Sequence, residues 1–301
     1  MSRDSVRYGR VPKRSRERST EETSRVTTSG DADQSADAET KQLAVYDVIL
    51  TVSQAHHGNC GYTEEHTRNL IRKPIVLPPA SPEDSEEASS TAESMEMERC
   101  WLWQQFAANI TPSVQRVVEF AKRVPGFCDL GQDDQLILIK VGFLEIWMCH
   151  VARLTSETTL MFEDGTTVTR EQLELMYDAE FVASVMEFAN SFNALALNDT
   201  EIGLFSGVVL LTADRPGITD IKTIEHHQDK LIEALKVQVN RNHANEPQIF
   251  SNLLIKLPEL RNLGAKHSAH LDWFRMNWQK LILPPLFAEI FDIPKSEDDL
   301  Q

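Results

Sequence analysis

Apolar positions recur at helical spacing over most of this chain. Leu43, Tyr46, Val48, Ile49 and Val52 predict a first helix that stops near His56-His57-Gly58. Beyond Met95 the pattern becomes nearly continuous. Val114, Val117, Val118, Ala121 and Val124 keep helical spacing until Pro125-Gly126 ends the run, and Asp133 to Leu154 reads as a long, mostly buried helix containing Trp147. Helices resume around Arg170. Breaks are expected at Asn198-Asp199, at Asp214 to Gly217 and at Glu246-Pro247. A last long amphipathic run extends from Ile249 to Leu283 and stops at Pro284-Pro285.

One segment departs from the helical period. Leu160-Met161-Phe162 and Thr166-Thr167-Val168 flank Glu163-Asp164-Gly165. Asp-Gly between two β-prone runs predicts a tight hairpin, because glycine takes the positive φ that such a turn needs. No internal repeat is present. The pattern predicts one all-α domain over residues 41–297 with one small β-hairpin.

Outside that domain the pattern fades. Residues 1–18 are basic, residues 19–40 are rich in Ser, Thr, Asp and Glu, and both are expected to be disordered in isolation. A Pro- and acid-rich stretch at 78–92 reads as a mobile loop, and 298–301 as a short tail.

Charge sharpens the division. Seven basic residues against Asp4 and Glu17 leave +5 in residues 1–18, so the remainder holds −21 of the total −16. A phosphate backbone would attract the arm and repel the body. Hydrophobic content of 41% supports a substantial core. No run approaches the about 18 apolar residues of a membrane span, and the arginine-rich N-terminus predicts no secretory signal. The four cysteines, Cys60, Cys100, Cys128 and Cys149, form no CxxC pair. Neither a zinc module nor a disulfide framework is expected, and reduced thiols are. Catalysis has no support: GxSxG, HExxH and a phosphate-binding loop are all absent, and Asp133-Asp134 lacks the third Asp of a DDxxD metal motif.

The segment from Phe120 to Lys140, FAKRVPGFCDLGQDDQLILIK, resembles the signature of nuclear-receptor ligand-binding domains. A second motif agrees with it. In PPLFAEIFDIP, Pro284 to Pro294, Leu286, Phe287, Ile290 and Phe291 share one helical face with Glu289 at its edge, which resembles that family's activation helix. The fold implied is a three-layer antiparallel helical sandwich. Prolines bound the last helix to about two turns, too short to be stable alone, so it orders only against a surface.

The resemblance implies a coregulator groove. Lys122 and Lys140 would lie at its rim facing Glu289, with Val118, Leu136, Leu286 and Ile290 contributing apolar surface. A coactivator helix carrying Leu-x-x-Leu-Leu (LxxLL) would seat its leucines there, Glu289 holding the free N–H groups at one helix end and a lysine the free carbonyls at the other. A corepressor helix is the alternative occupant.

The same resemblance bears on DNA, dimers and ligand. Arg7, Arg10, Lys13 and Arg14 resemble the arm that follows the zinc DNA-binding domain in the Rev-erb branch, where cationic side chains enter the minor groove. That zinc domain is not within these 301 residues. Glu145 and Arg215 match positions typical of receptors that pair with the retinoid X receptor, and a buried ion pair is the structural alternative. Where relatives place arginines for a ligand carboxylate, this chain has His150 and Leu154, with Arg153 one residue off. His267 aligns with the haem-ligating histidine of Rev-erb relatives, although Lys73 to Pro79 supplies no cysteine as second ligand. His270, three residues on, would lack the further ligands that a zinc site needs. The remaining reading is a pocket filled by its own side chains, with Trp147, Trp273, Phe274 and Trp278 as candidates. The functional expectation is a ligand-regulated or orphan nuclear receptor acting in the nucleus. A haem-based redox or gas sensor and a constitutive coregulator scaffold are the alternatives.

Overall fold

The computed structural model describes residues 30–76 and 91–295, with side chains from 37 and from 92 onward. The basic arm, most of the acidic loop and the tail lie outside the described residues. The chain divides into two units at Lys41/Gln42. Of the first, the described part is helical backbone from Gly30.

Helix α1 spans Gly30–Asn59 and starts well before the expected Leu43. Its last turns bury Val52, Ala55 and His56. The one-turn α2, Glu64–Thr67, is capped by Thr63, whose Oγ1 accepts from His66 N–H. Helix α3, Thr91–Ala121, carries Pro112 within it and ends where Pro125-Gly126 turns the chain, Gly126 at φ 87°. Helix α4, Gln132–Val151, continues as one 3-10 turn to Leu154, the length that the apolar run predicts. By length and composition this segment could cross a membrane, yet most of it is buried inside the protein. It is the core helix.

Strands β2, Thr159–Met161, and β3, Thr166–Thr169, form the expected hairpin. A two-residue strand that the alternation did not reveal, β1 at Lys73–Pro74, pairs parallel with β3. Gly165 makes both possible. Its φ is +92°, and a Cβ there would stand 2.1 Å from the Ile71 carbonyl oxygen.

Helices α5 (Arg170–Met176), α6 (Ala179–Asn193), α7 (Asp199–Leu210), α8 (Ile221–Asn242) and α9 (Ile249–Asn277) complete the body. Three of their breaks fall at the expected turn residues, the one at Tyr177-Asp178 was not expected, and side chains cap them: Asp178 on α6, Asn198 on α7, Asp220 on α8. Helix α9 ends before the expected Leu283, finishing in a 3-10 turn at Trp278–Lys280. Helix α4 packs on α3 at one side and on α6 and α9 at the other, with α7 beside it and α8 beyond. This is the three-layer helical sandwich that the sequence implies.

The signature residues hold this arrangement. The buried Asp134 carboxylate accepts from Thr219 N–H, Thr219 Oγ1–H and Asp220 N–H, all at 2.9 Å, fixing the loop that enters α8. Those donors hold its carboxyl below the usual range. Gln135 donates to the Leu130 carbonyl and ties down the turn between α3 and α4.

Candidate functional site

The final helix, α10, spans Pro285–Ile290, with proline at its first position. It packs against α3. Phe287, Ala288, Ile290, Phe291 and Ile293 are buried; Phe287 packs at a ring-centroid distance of 5.5 Å from Phe274, and Phe291 at 6.0 Å from Phe143. The helix closes in a Schellman motif: Ile293 N–H donates to Ala288 O at 2.8 Å and Asp292 N–H to Glu289 O at 3.4 Å. The left-handed position of that motif, usually glycine, is Asp292 at φ 51°. Its carboxylate accepts from Lys140 Nζ of α4. Arg275 of α9 donates to the Phe291 and Asp292 carbonyls, so α4 and α9 both hold the end of α10.

The expected groove residues separate into two roles. Leu136 is half exposed, Val118 and Leu286 are partly buried, and Ile290 faces the core. Glu289 and Lys122 are exposed; Glu289 has Lys295 at 3.9 Å, and Lys122 pairs with Glu119 on its own helix at 2.7 Å. Lys140 differs, its ammonium being engaged by Asp292.

Glu145 and Arg215 are brought together. Arg215 sends two guanidinium N–H groups to the two Glu145 oxygens, and both side chains are almost wholly buried. The fork geometry is the arrangement that compensates desolvation.

The ligand-pocket candidates are not brought together. His267 is buried, and its Nε2 stands 3.1 Å from the Tyr177 hydroxyl. Burial pushes its pKa down to about 3, so the ring is neutral. It borders a cleft of about 390 Å³ shared with Lys140, Phe291 and Asp292, and on its other side an apolar pocket of about 20 Å³, lined also by Phe106, Trp147, Tyr177 and Phe181. That is room for about one water. Aromatic rings fill the remainder: Trp103 lies 4.4 Å from Phe274 and 4.6 Å from Tyr177, and Trp147 stacks on Phe162 at 6.0 Å. Of the four candidate fillers Trp147 and Phe274 are buried, whereas Trp273 and Trp278 are only partly buried. Haem does not fit this interior. His267 Nε2 faces the Tyr177 hydroxyl beside a pocket too small for a porphyrin, and the strand at Lys73–Pro74 offers no cysteine.

His150 and Arg153 turn the other way, toward α1 and α7. Arg153 donates to the Tyr62 carbonyl at 3.0 Å and pairs with Asp199 at 2.7 Å. His150 Nε2 is 3.0 Å from Ser206 Oγ, and its ring packs 5.1 Å from that of His56. His56, Cys60 and His150 thereby form a buried cluster that is not among the sequence expectations. The one local signal is the four-residue spacing of His56 and Cys60, which sets two metal-ligand types on one helical face.

Comparison with known proteins agrees with this geometry. Residues 91–277 match the family model described as the ligand-binding domain of nuclear hormone receptor. The chain belongs to that family. It is 58% identical to ecdysone-induced protein 78C of Drosophila melanogaster over 262 residues, 86% of this chain and 30% of that protein. It is 42% identical to nuclear receptor subfamily 1 group D member 2 of Rattus norvegicus over 58% of this chain and 31% of that one. With nuclear hormone receptor E75 of Metapenaeus ensis it shares 32% identity over 92% of this chain and 46% of that protein. The resemblance that the motifs carry therefore narrows to ecdysone-induced protein 78. The chain spans less than half the length of each of these relatives.

Proposed function

We propose that this chain is the coregulator-recruiting domain of a transcription regulator acting in the nucleus, with its activation helix held closed by the chain's own contacts. The observation that carries the reading is the seat of α10. Its apolar face is buried on Phe274 and Phe143, above an interior whose cavity measures about 20 Å³. A constitutive scaffold with a self-filled pocket is therefore favoured over a haem sensor.

An LxxLL coactivator helix lies between α3, the start of α4 and α10, its leucines against Val118, Leu136 and Leu286. Glu289 takes the N–H groups at one peptide end and Lys122 the carbonyls at the other. Lys140 serves as the latch of α10. A corepressor helix replaces the coactivator when α10 swings away. Any ligand acts by differential affinity for the two states, and a bias of about 2–3 kcal/mol changes occupancy roughly 30- to 150-fold. The arm at Arg7, Arg10, Lys13 and Arg14 contacts DNA, beside a zinc domain wherever one precedes it, and a retinoid X receptor-type partner completes a heterodimer.

The test is fluorescence-polarisation titration of an LxxLL peptide onto the purified chain without added ligand. Saturable binding that Glu289→Lys abolishes, with circular dichroism unchanged, supports the reading. Absence of binding, or equal binding by the variant, overturns it.

A further inference from the structure

A separate site lies at the opposite end of α4 from the groove. His56 is on the last turn of α1, Cys60 follows that helix directly, and His150 is on the last turn of α4. All three are buried, and one ligand-type atom from each lies within 4.8 Å of the others. The chain spends two imidazoles and a thiol on a place that apolar side chains could fill.

Two details point to an occupant. Both ring nitrogens of His56 are buried with no hydrogen-bond partner, although a buried polar atom is normally paired. At His150 the tautomer is fixed. Ser206 uses its single hydroxyl hydrogen on the Ile202 carbonyl at 2.7 Å, so it accepts from His150 Nε2–H, and Nδ1 keeps the lone pair. A hydroxyl that orients an imidazole in this way is the outer shell found around metal-bound histidines. Tyr62 N–H donates to Cys60 Sγ at 3.4 Å, a contact that favours thiolate. The backbone is held close as well: a Cβ on Gly203 of α7 would stand 2.7 Å from the His56 Cβ.

We propose that His56, Cys60 and His150 bind a single thiophilic divalent cation, Zn2+ by the chemistry of its ligands, fastening the end of α1 to α4. Two imidazoles and one thiolate are zinc donors, and the fourth position falls to water. Bond lengths of about 2.0–2.3 Å set tetrahedral ligand pairs about 3.3–3.8 Å apart, so the three atoms, all within 4.8 Å of one another, close by at most about 1–1.5 Å on binding. Side-chain rotation supplies that movement. Burial keeps His56 neutral, with its pKa lowered to about 4, and leaves the Cys60 thiol protonated, with its pKa raised to about 12. Binding therefore forms a metal–sulfur bond as the S–H bond breaks, and one proton goes to solvent for each ion bound.

The experiment uses the reduced, chelator-treated chain and Co2+ alone. One equivalent is expected to give the intense visible bands of a tetrahedral ion and a near-ultraviolet thiolate-to-cobalt band, both removed by Zn2+, with one proton released. Cys60→Ser eliminates the thiolate band, and substitution of the exposed Cys128 by Ser leaves it. Zinc-edge X-ray absorption on the unsubstituted chain keeps the test independent of any variant's folding: one sulfur and two imidazoles are expected. A band that follows Cys128, no thiolate band, or a zinc shell without sulfur overturns the site.

Discussion

Lys140 and Asp292 are joined directly, an ammonium on the central helix to a carboxylate just past the last one. Asp292 holds a backbone conformation that glycine would adopt with less strain, and in exchange it provides the only carboxylate that reaches Lys140 among the described contacts. The pair is nevertheless a surface pair, worth about 0.2–1 kcal/mol. Each fully buried Phe or Ile of α10 contributes about 1.5–3 kcal/mol. Apolar burial therefore closes the helix, and the latch adjusts it. Asp292→Asn keeps the turn residue and removes the charge, so LxxLL affinity should fall about 1.5- to 5-fold at low salt. The difference from the parent should shrink in titrations at high ionic strength. Equal affinity at low salt would show that the latch contributes nothing.

Phe287→Ala should act far more strongly. Truncating a buried Phe costs about 3–5 kcal/mol, more than so short a helix can absorb. Peptide affinity is expected to drop by more than about 100-fold while helical content stays near the parent's. Retained binding in fluorescence polarisation would mean that α10 is seated by other contacts.

Glu145 and Arg215 supply a stability test. Arg215→Met leaves a carboxylate buried without its partner and should cost about 3–5 kcal/mol in urea denaturation. The double variant Glu145→Leu/Arg215→Met should regain most of that loss, because two apolar groups need no partner. A double variant as unstable as the single one would indicate that both side chains have further buried partners.

Acid should unfold the domain through its buried imidazoles. His56 and His267 have folded pKa values lowered to about 4 and about 3 by burial, and His150 is shifted well below the usual value for the same reason. Below about 6.5 the unfolded chain binds protons that the folded chain refuses, so stability falls with falling pH. Each histidine contributes a slope of about 1.4 kcal/mol per pH unit between its folded pKa and 6.5. Denaturant midpoints measured from pH 7 to pH 4.5 should decline steadily, and His267→Phe should flatten the decline. A flat profile in the parent would mean that these rings reach solvent.

Haemin added to the purified chain should give no saturable Soret band, since the apolar pocket between His267, Phe106 and Trp147 holds about one water. A stoichiometric band that disappears in His267→Ala would mean that the aromatic cluster opens.

The parts of the fold legible in the sequence are those set by nearby residues. The turn from Phe120 to Lys140, the Asp164-Gly165 hairpin and the proline-bounded α10 each follow from spacing and local backbone chemistry. What escaped depends on distant partners. Strand β1 exists because the chain at Ile71 can approach Gly165, and two residues carry no period of their own. Residues 30–42 lack an apolar stripe, so nothing local marked the start of α1. His150 was expected to face a ligand pocket, with Arg153 one residue off such a position. Which way they face, however, is decided by the rotation of α4 against α1 and α7, which spacing does not fix. The pairing of Lys140 with Asp292 needed the docked position of α10.

The packed aromatic interior also bears on how such a domain could change over time. Trp147, Phe106 and Phe162 interlock, and the first two also line the small cavity beside His267. Truncating one of these rings would open a chamber in a single mutational step, leaving the helices that frame it in place. The volume open to a small molecule is thus set by one or two ring side chains and not by the helical scaffold.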